Sequence, residues 1–351
     1  MKDIPMLTGL RGAAALLVFI SHCANQGMLP GILGNGLGQI GVMLFFVLSG
    51  FLMSYLYLEK DFSRENVSRY ISARVARVIP LYVFLLLLSY AISNSIYPDF
   101  HYSITDPVTL LRALLFIDAP FEFWTIPVEI QFYAVFIVFW FMYQSGISGR
   151  FLALFAGLTI IPSVLYFLVK DSVLVLFSTY SLAFFVGVLT ARLQQAITTT
   201  GFSKTFSTYA PLPLMILFIL NLPALRLEHG LVLGEGLFLR TWADPLNWLL
   251  VYGLFVCAVM NAPGLSFLNA RVFAFYGKIS YGFYLVHYPI IKIVKTTPVA
   301  APLQFPLSLL IVTLLAYLSF HTLEKRFGAM IKDATWLHLD FYSNRAGYKR
   351  S

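Results

Sequence analysis

Apolar residues in this chain gather in long runs separated by short polar stretches. A run of roughly 20 apolar residues, wound as a helix, crosses the hydrocarbon core of a bilayer. On that rule the sequence predicts helices near 7–27, 37–58, 79–97, 125–143, 151–169, 172–193, 207–225, 244–261, 279–295 and 303–323. The segment 107–118 is apolar but too short to span, and reads as re-entrant or interfacial. Connections are short except 59–78, 97–124, 226–243 and the polar tail after Phe327. No internal repeat, low-complexity tract or second domain is visible. The fold class expected is an all-α integral membrane protein. One bundle of about ten transmembrane helices occupies residues 1–327, and a short basic cytoplasmic tail follows at 328–351.

Composition supports the membrane reading. Of 351 residues, 59% are hydrophobic and 11% charged, against about a quarter charged in soluble domains. A water-soluble fold would lack polar surface to cover itself. Lys and Arg then orient the bundle, because cytoplasmic loops carry their excess. Ten spans put both termini on one side, and 18 of the 24 basic residues fall there. The other side holds Arg112, Lys170, Arg226, Arg240, Lys292 and Lys295. Both termini are therefore expected in the cytoplasm, with the chain multi-pass in the cell (inner) membrane. The net charge of +8 needs no nucleic-acid partner, which would require a cationic cluster on a soluble face. Cys23 and Cys257 lie in apolar runs and make neither a disulfide framework nor a metal site. The first apolar run has no small-residue cleavage site behind it and reads as a retained helix.

Polar residues inside such a bundle are expensive and point to function. Arg11 and His22 are eleven residues apart. That spacing leaves them about 20° apart in azimuth and ~16 Å apart along a helix, on one face. The alternatives are a snorkelling anchor for Arg11 and an interhelical hydrogen bond for His22. Arg64, Arg69, Arg74 and Arg77 fill the basic connection 59–78. Arg74 and Arg77 share a face if that stretch is helical, and paired guanidiniums suit phosphate. Ordinary positive-inside charge is the alternative. Glu129 opens the fourth span at a depth comparable to His22, where a carboxylate could raise a histidine's basicity. A helix N-terminal acid favoured by the macrodipole is the other reading. Ser280, Tyr284 and His287 follow i, i+4, i+7 and form one polar stripe above Lys278. Interhelical hydrogen bonding is again the alternative.

At these residues the sequence resembles the membrane-bound acyltransferase 3 family, bacterial O-acyltransferases of surface carbohydrates. The resemblance runs from Leu7 to about Phe327. It rests on six blocks in family order: Leu7 to Ala15 followed by His22, Phe45 to Leu52, Arg74 to Tyr82, Trp124 to Tyr133, Ser280 to Pro289, and Glu324 to Phe327. Thr8 stands where an aspartate is common and Ala73 where a third arginine is frequent; Pro127 and Ile130 also differ from the usual residues. The chain resembles the stand-alone form, without an appended hydrolase-like domain.

The resemblance implies ten helices, a cytosolic acyl-CoA donor, most often acetyl-CoA, and no metal. The acceptor it implies is a hydroxyl of an extracytoplasmic carbohydrate or glycolipid. Onto this sequence it places His22 and Glu129 as catalytic residues. Arg11, Arg74, Arg77 and Lys278 become acyl-CoA-binding residues, and Ser280, Tyr284 and His287 line the cavity. His22 is then a general base or a transient acyl carrier, and Glu129 orients it or grips the acceptor. A transporter of an anionic or sugar-linked solute, or a silent sensor, would use the same polar stripe without covalent transfer.

Overall fold

The computed structural model describes residues 4–98, 100–147, 149–150, 153, 157, 176–199, 201–222, 225, 241–242 and 244–331. Every regular element among them is helical. The α-helices are α1 (Pro5–Asn25), α2 (Leu37–Tyr57), α3 (Arg64–Ser95), α4 (Pro107–Leu114), α5 (Thr125–Gln144), α6 (Leu176–Thr199), α7 (Gly201–Tyr209), α8 (Pro211–Leu220), α9 (Pro245–Val259), α10 (Arg271–Thr296) and α11 (Ala301–Ser319). Five helices among the described residues are long and apolar enough to cross a membrane. They become six if α9 and the bent 3-10 turn Pro263–Asn269 form one span. α10 is also 26 residues long, but it carries Arg271, Lys278, Lys292 and Lys295. The helix expected at 151–169 and the tail from 332 onward lie outside the described residues, apart from isolated positions in the former.

Four boundaries differ from the sequence reading, the simplest being α6, which runs on to Thr199 past the expected 193. The long basic connection before the third span is helix for most of its length, because α3 starts at Arg64. Ser63 caps it, accepting the Asn66 N–H at 3.2 Å, and Glu65 pairs with Arg69 one turn on. The arginines depress hydropathy without disfavouring helix, so an apolarity rule starts the element too late. α10 likewise begins at Arg271, ahead of the expected 279. The single helix expected at 207–225 is two, because Pro211 starts a new helix where its missing N–H costs nothing. The short α4 matches the expected non-spanning segment.

The chain divides into two compact units. The first comprises Met1–Tyr55 and Tyr180–Ala316. In it α1 and α10 run parallel in backbone contact. A Cβ on Gly12 would lie 2.1 Å from the Phe273 carbonyl oxygen, and one on Gly277 would lie 2.0 Å from that of Thr8. Further along, Phe19 meets Phe283 at 5.4 Å between ring centres. Small residues at such seams let membrane helices approach closely, where apolar burial alone gives no preference over lipid.

The second unit comprises Leu56–Thr179 and Tyr317–Ser351. Here α3 and α5 run antiparallel. Tyr70 donates to the Tyr133 carbonyl at 3.1 Å, whereas Tyr82, further along α3, packs edge-on against Phe123 before α5. Tyr82 also donates to the Ala113 carbonyl at 3.1 Å and ties down α4. Asp106 caps α4. The N–H and hydroxyl of Thr109, with the N–H of Val108, hold its carboxyl below the usual carboxylate range.

Candidate active site

The α1–α10 seam in the first unit brings two imidazoles together. Gly12 to His22 and Gly277 to His287 are both steps of ten residues, an advance of about 15 Å along each parallel helix. The rings meet with centroids 5.0 Å apart, tilted by 52°. Tyr288 packs edge-on against His22 at 4.5 Å, and the Gln26 side-chain amide donates to its hydroxyl at 3.0 Å. His287 is fully buried. Its Nδ1 faces the Tyr284 carbonyl. A carbonyl only accepts, so Nδ1 carries a hydrogen and donates it.

The expected stripe of Ser280, Tyr284 and His287 is therefore a buried face of α10 that reaches His22. Ser280 donates to the Gly277 carbonyl of its own helix at 3.1 Å. Tyr284 is buried edge-on to Phe45. Lys278 is exposed and does not join these three, whereas Arg11 is half-buried on α1.

A second cluster lies in the second unit. Arg74 and Arg77 sit well inside α3, and both act electrostatically on Tyr133 of α5. The Arg74 guanidinium lies over the Tyr133 ring, 5.8 Å from its centre. The Tyr133 hydroxyl donates to Glu129, one turn earlier on α5. Glu129 in turn acts electrostatically on Arg74. Glu324, in the π turn Phe320–Glu324 after α11, is within electrostatic reach of Arg77. The structure thus unites Arg74, Arg77 and Glu129, which the sequence reading set at different depths. It does so because α3 begins early and passes α5 antiparallel. Glu129 also lies beyond the first turn of α5, which contains no acidic residue. A macrodipole effect falls off within that turn and does not account for it.

The model of the acyltransferase 3 family, described as an acyltransferase domain, matches residues 4–321. The chain belongs to the acyltransferase 3 family. Its relatives include YrhL of Bacillus subtilis (strain 168), provisionally named a peptidoglycan O-acetyltransferase; the two are 27% identical over 92% of this chain and 55% of that protein. The O-acetyltransferase OatA of Staphylococcus aureus (strain NCTC 8325 / PS 47) is 23% identical over 92% of this chain and 57% of its own length. The acyltransferase MdmB of Streptomyces mycarofaciens is 36% identical over 24% of this chain and 23% of its own. The chain thus spans about half the length of the first two. No solved structure matches it significantly.

Apart from Glu324, both clusters fall within the acyltransferase 3 match. Two kinds of residue in them escaped the sequence reading. Tyr133 was only the last residue of the glutamate block, although the i, i+4 step from Glu129 was a usable signal. Gln26 and Tyr288 gave none, since their contact depends on the register of α1 against α10. Among the described residues no group of three His, Cys, Asp or Glu could hold a metal ion.

Proposed function

We propose that this chain is a membrane-bound O-acyltransferase. It moves an acyl group, most simply acetyl, from cytosolic acyl-CoA to a hydroxyl of an extracytoplasmic carbohydrate or glycolipid. The single observation that carries the reading is the His22–His287–Tyr288 cluster, with His287 fully buried and the other two half-buried, in a chain of this family. Imidazoles at that depth are costly unless they work.

In this reading the bundle has ten spans with both termini in the cytoplasm, and it resides in the inner membrane. Arg74 and Arg77 bind the phosphates of the donor, and Arg11 and Lys278 add positive charge along its path. His22 takes the proton of the acceptor hydroxyl as that oxygen attacks the thioester carbonyl. The new C–O bond forms, the C–S bond breaks, and the proton passes from His22 to the departing thiolate. Glu129 holds the reacting sugar by its hydroxyls. The names of YrhL and OatA favour an O-acetyl group, and that of YrhL a peptidoglycan acceptor.

The test is His22→Ala in membrane vesicles supplied with labelled acetyl-CoA. Transfer to envelope glycans should fall by about 10²–10⁴-fold, the usual worth of a positioned base. Undiminished transfer removes His22 from the mechanism. Solute flux without any acylated product would replace the enzyme by a transporter.

A further inference from the structure

Tyr133 is engaged on three sides at once. Its hydroxyl donates to the Glu129 carboxylate. Its ring face carries the Arg74 guanidinium at 5.8 Å. Its carbonyl accepts the Tyr70 hydroxyl at 3.1 Å. Tyr70 is itself buried, set edge-on against Tyr57 at 5.0 Å and packed on Phe136 at 5.6 Å. The backbone beneath Tyr133 is thereby pinned to α3 by an aromatic block. Tyr133 is buried in turn, while Glu129 and Arg74 are each half-buried. A phenol that is fixed from below and touches a carboxylate and a guanidinium sets where both charges stand.

We infer that Tyr133 is the positioning residue of this cluster, and that its two ends do separable work. The hydroxyl holds Glu129, and the ring holds Arg74. Glu129 and Tyr133 are one turn apart on α5, so the bond also fixes the carboxylate's rotamer along the helix face. A guanidinium over an aromatic face keeps its N–H groups directed outward around the ring, free to take a planar anion such as a phosphate edge. The inference rests on the acyl-transfer reading, in which Glu129 serves the acceptor and Arg74 the donor.

The test uses the full chain, purified in detergent and returned to vesicles, with acetyl-CoA as donor and isolated envelope glycan as acceptor. Folded protein is quantified by size exclusion. Tyr133→Phe keeps the ring and removes the hydroxyl. It should lower kcat by about tenfold, the scale of one hydrogen bond to a charged group, and leave the KM for acetyl-CoA unchanged. Tyr133→Leu should show the same kcat loss and also raise the KM for acetyl-CoA several-fold. If that variant does not accumulate, Tyr133→Met, which also lacks the ring, replaces it. In the double variant Glu129→Gln/Tyr133→Phe the losses should not multiply, because the hydroxyl acts through the carboxylate.

A Tyr133→Phe enzyme as fast as the wild type overturns the hydroxyl's role, as do multiplied losses in the double variant. A Tyr133→Leu enzyme with wild-type KM overturns the ring's role. A wild-type protein that transfers no acetyl group marks a different failure, that of the acyl-transfer reading itself, and the inference falls with it.

Discussion

The α1–α10 seam makes a demanding prediction. Adding one methyl at Gly277 puts a Cβ 2.0 Å from the Thr8 carbonyl oxygen, whereas ordinary contact begins near 3.4 Å. The obstacle is backbone, so no side chain can rotate away. The two helices must part by about 1.4 Å at that level, and overpacking of this kind costs about 1–3 kcal/mol. A shift of α10 also carries His287 away from His22, ten residues further along. A misplacement of about 1 Å in a catalytic array can cost ~10²-fold in rate. Gly277→Ala should therefore lower acetyl transfer about a hundredfold and melt several degrees below the wild type in detergent. Gly31→Ala is the control, because nothing lies within 4 Å of a Cβ there; it should match the wild type in both measurements. Wild-type melting and rate in Gly277→Ala would show that the helices are not in backbone contact, and the derivation of the His22–His287 pair would fail.

The other predictions are narrower. Arg74→Lys loses the planar group over Tyr133 and should raise the KM for acetyl-CoA about tenfold with little change in kcat; saturation binding of acetyl-CoA to purified protein checks it. Ser63→Ala removes the α3 cap and should cost about 1 kcal/mol locally, visible as faster amide exchange over residues 64–67. Asp106 has a depressed pKa in the folded chain, so its cap is fully effective above the unfolded value and is lost as pH falls through the folded one. Exchange at Val108 and Thr109 should therefore gain in relative rate at acid pH, and Asp106→Asn should abolish that dependence. Cys23 and Cys257 are buried, so neither should react with maleimide in native vesicles, and both should react in SDS.

The helical class and five of the expected spans were legible because lipid leaves few solutions for a run of apolar residues. α1, α2 and α5 follow the expected bounds within about two residues, the usual ambiguity of helix ends. The early start of α3 was not legible from apolarity, since four arginines outweigh Val67, Tyr70 and Ile71 on any hydropathy scale. That error placed Arg74 and Arg77 in a connection and so separated them from Glu129. The stripe at Ser280, Tyr284 and His287 was legible as a face. Its partner was not, because pairing His287 with His22 needs the register of two helices distant in sequence, and Gly12 and Gly277 fix that register only through backbone contact.

Correcting α3 changes how its arginines should be weighed. A cation at the membrane boundary is adequately explained by the positive-inside bias, with its side chain reaching for water. Arg74 is the eleventh residue of a 32-residue helix, about 15 Å from its start, and its side chain turns to a buried phenol. The Nε atom is buried with no hydrogen-bond partner among the described residues. Desolvating a guanidinium is unfavourable unless charge or hydrogen bonds offset it. The Tyr133 face and the nearby Glu129 carboxylate supply part of that offset, and an anionic ligand would supply more. A snorkelling anchor gains nothing from such an arrangement, whereas a phosphate site needs it. Two charges held by one tyrosine therefore weigh for the functional reading of this cluster more than its count of basic residues does.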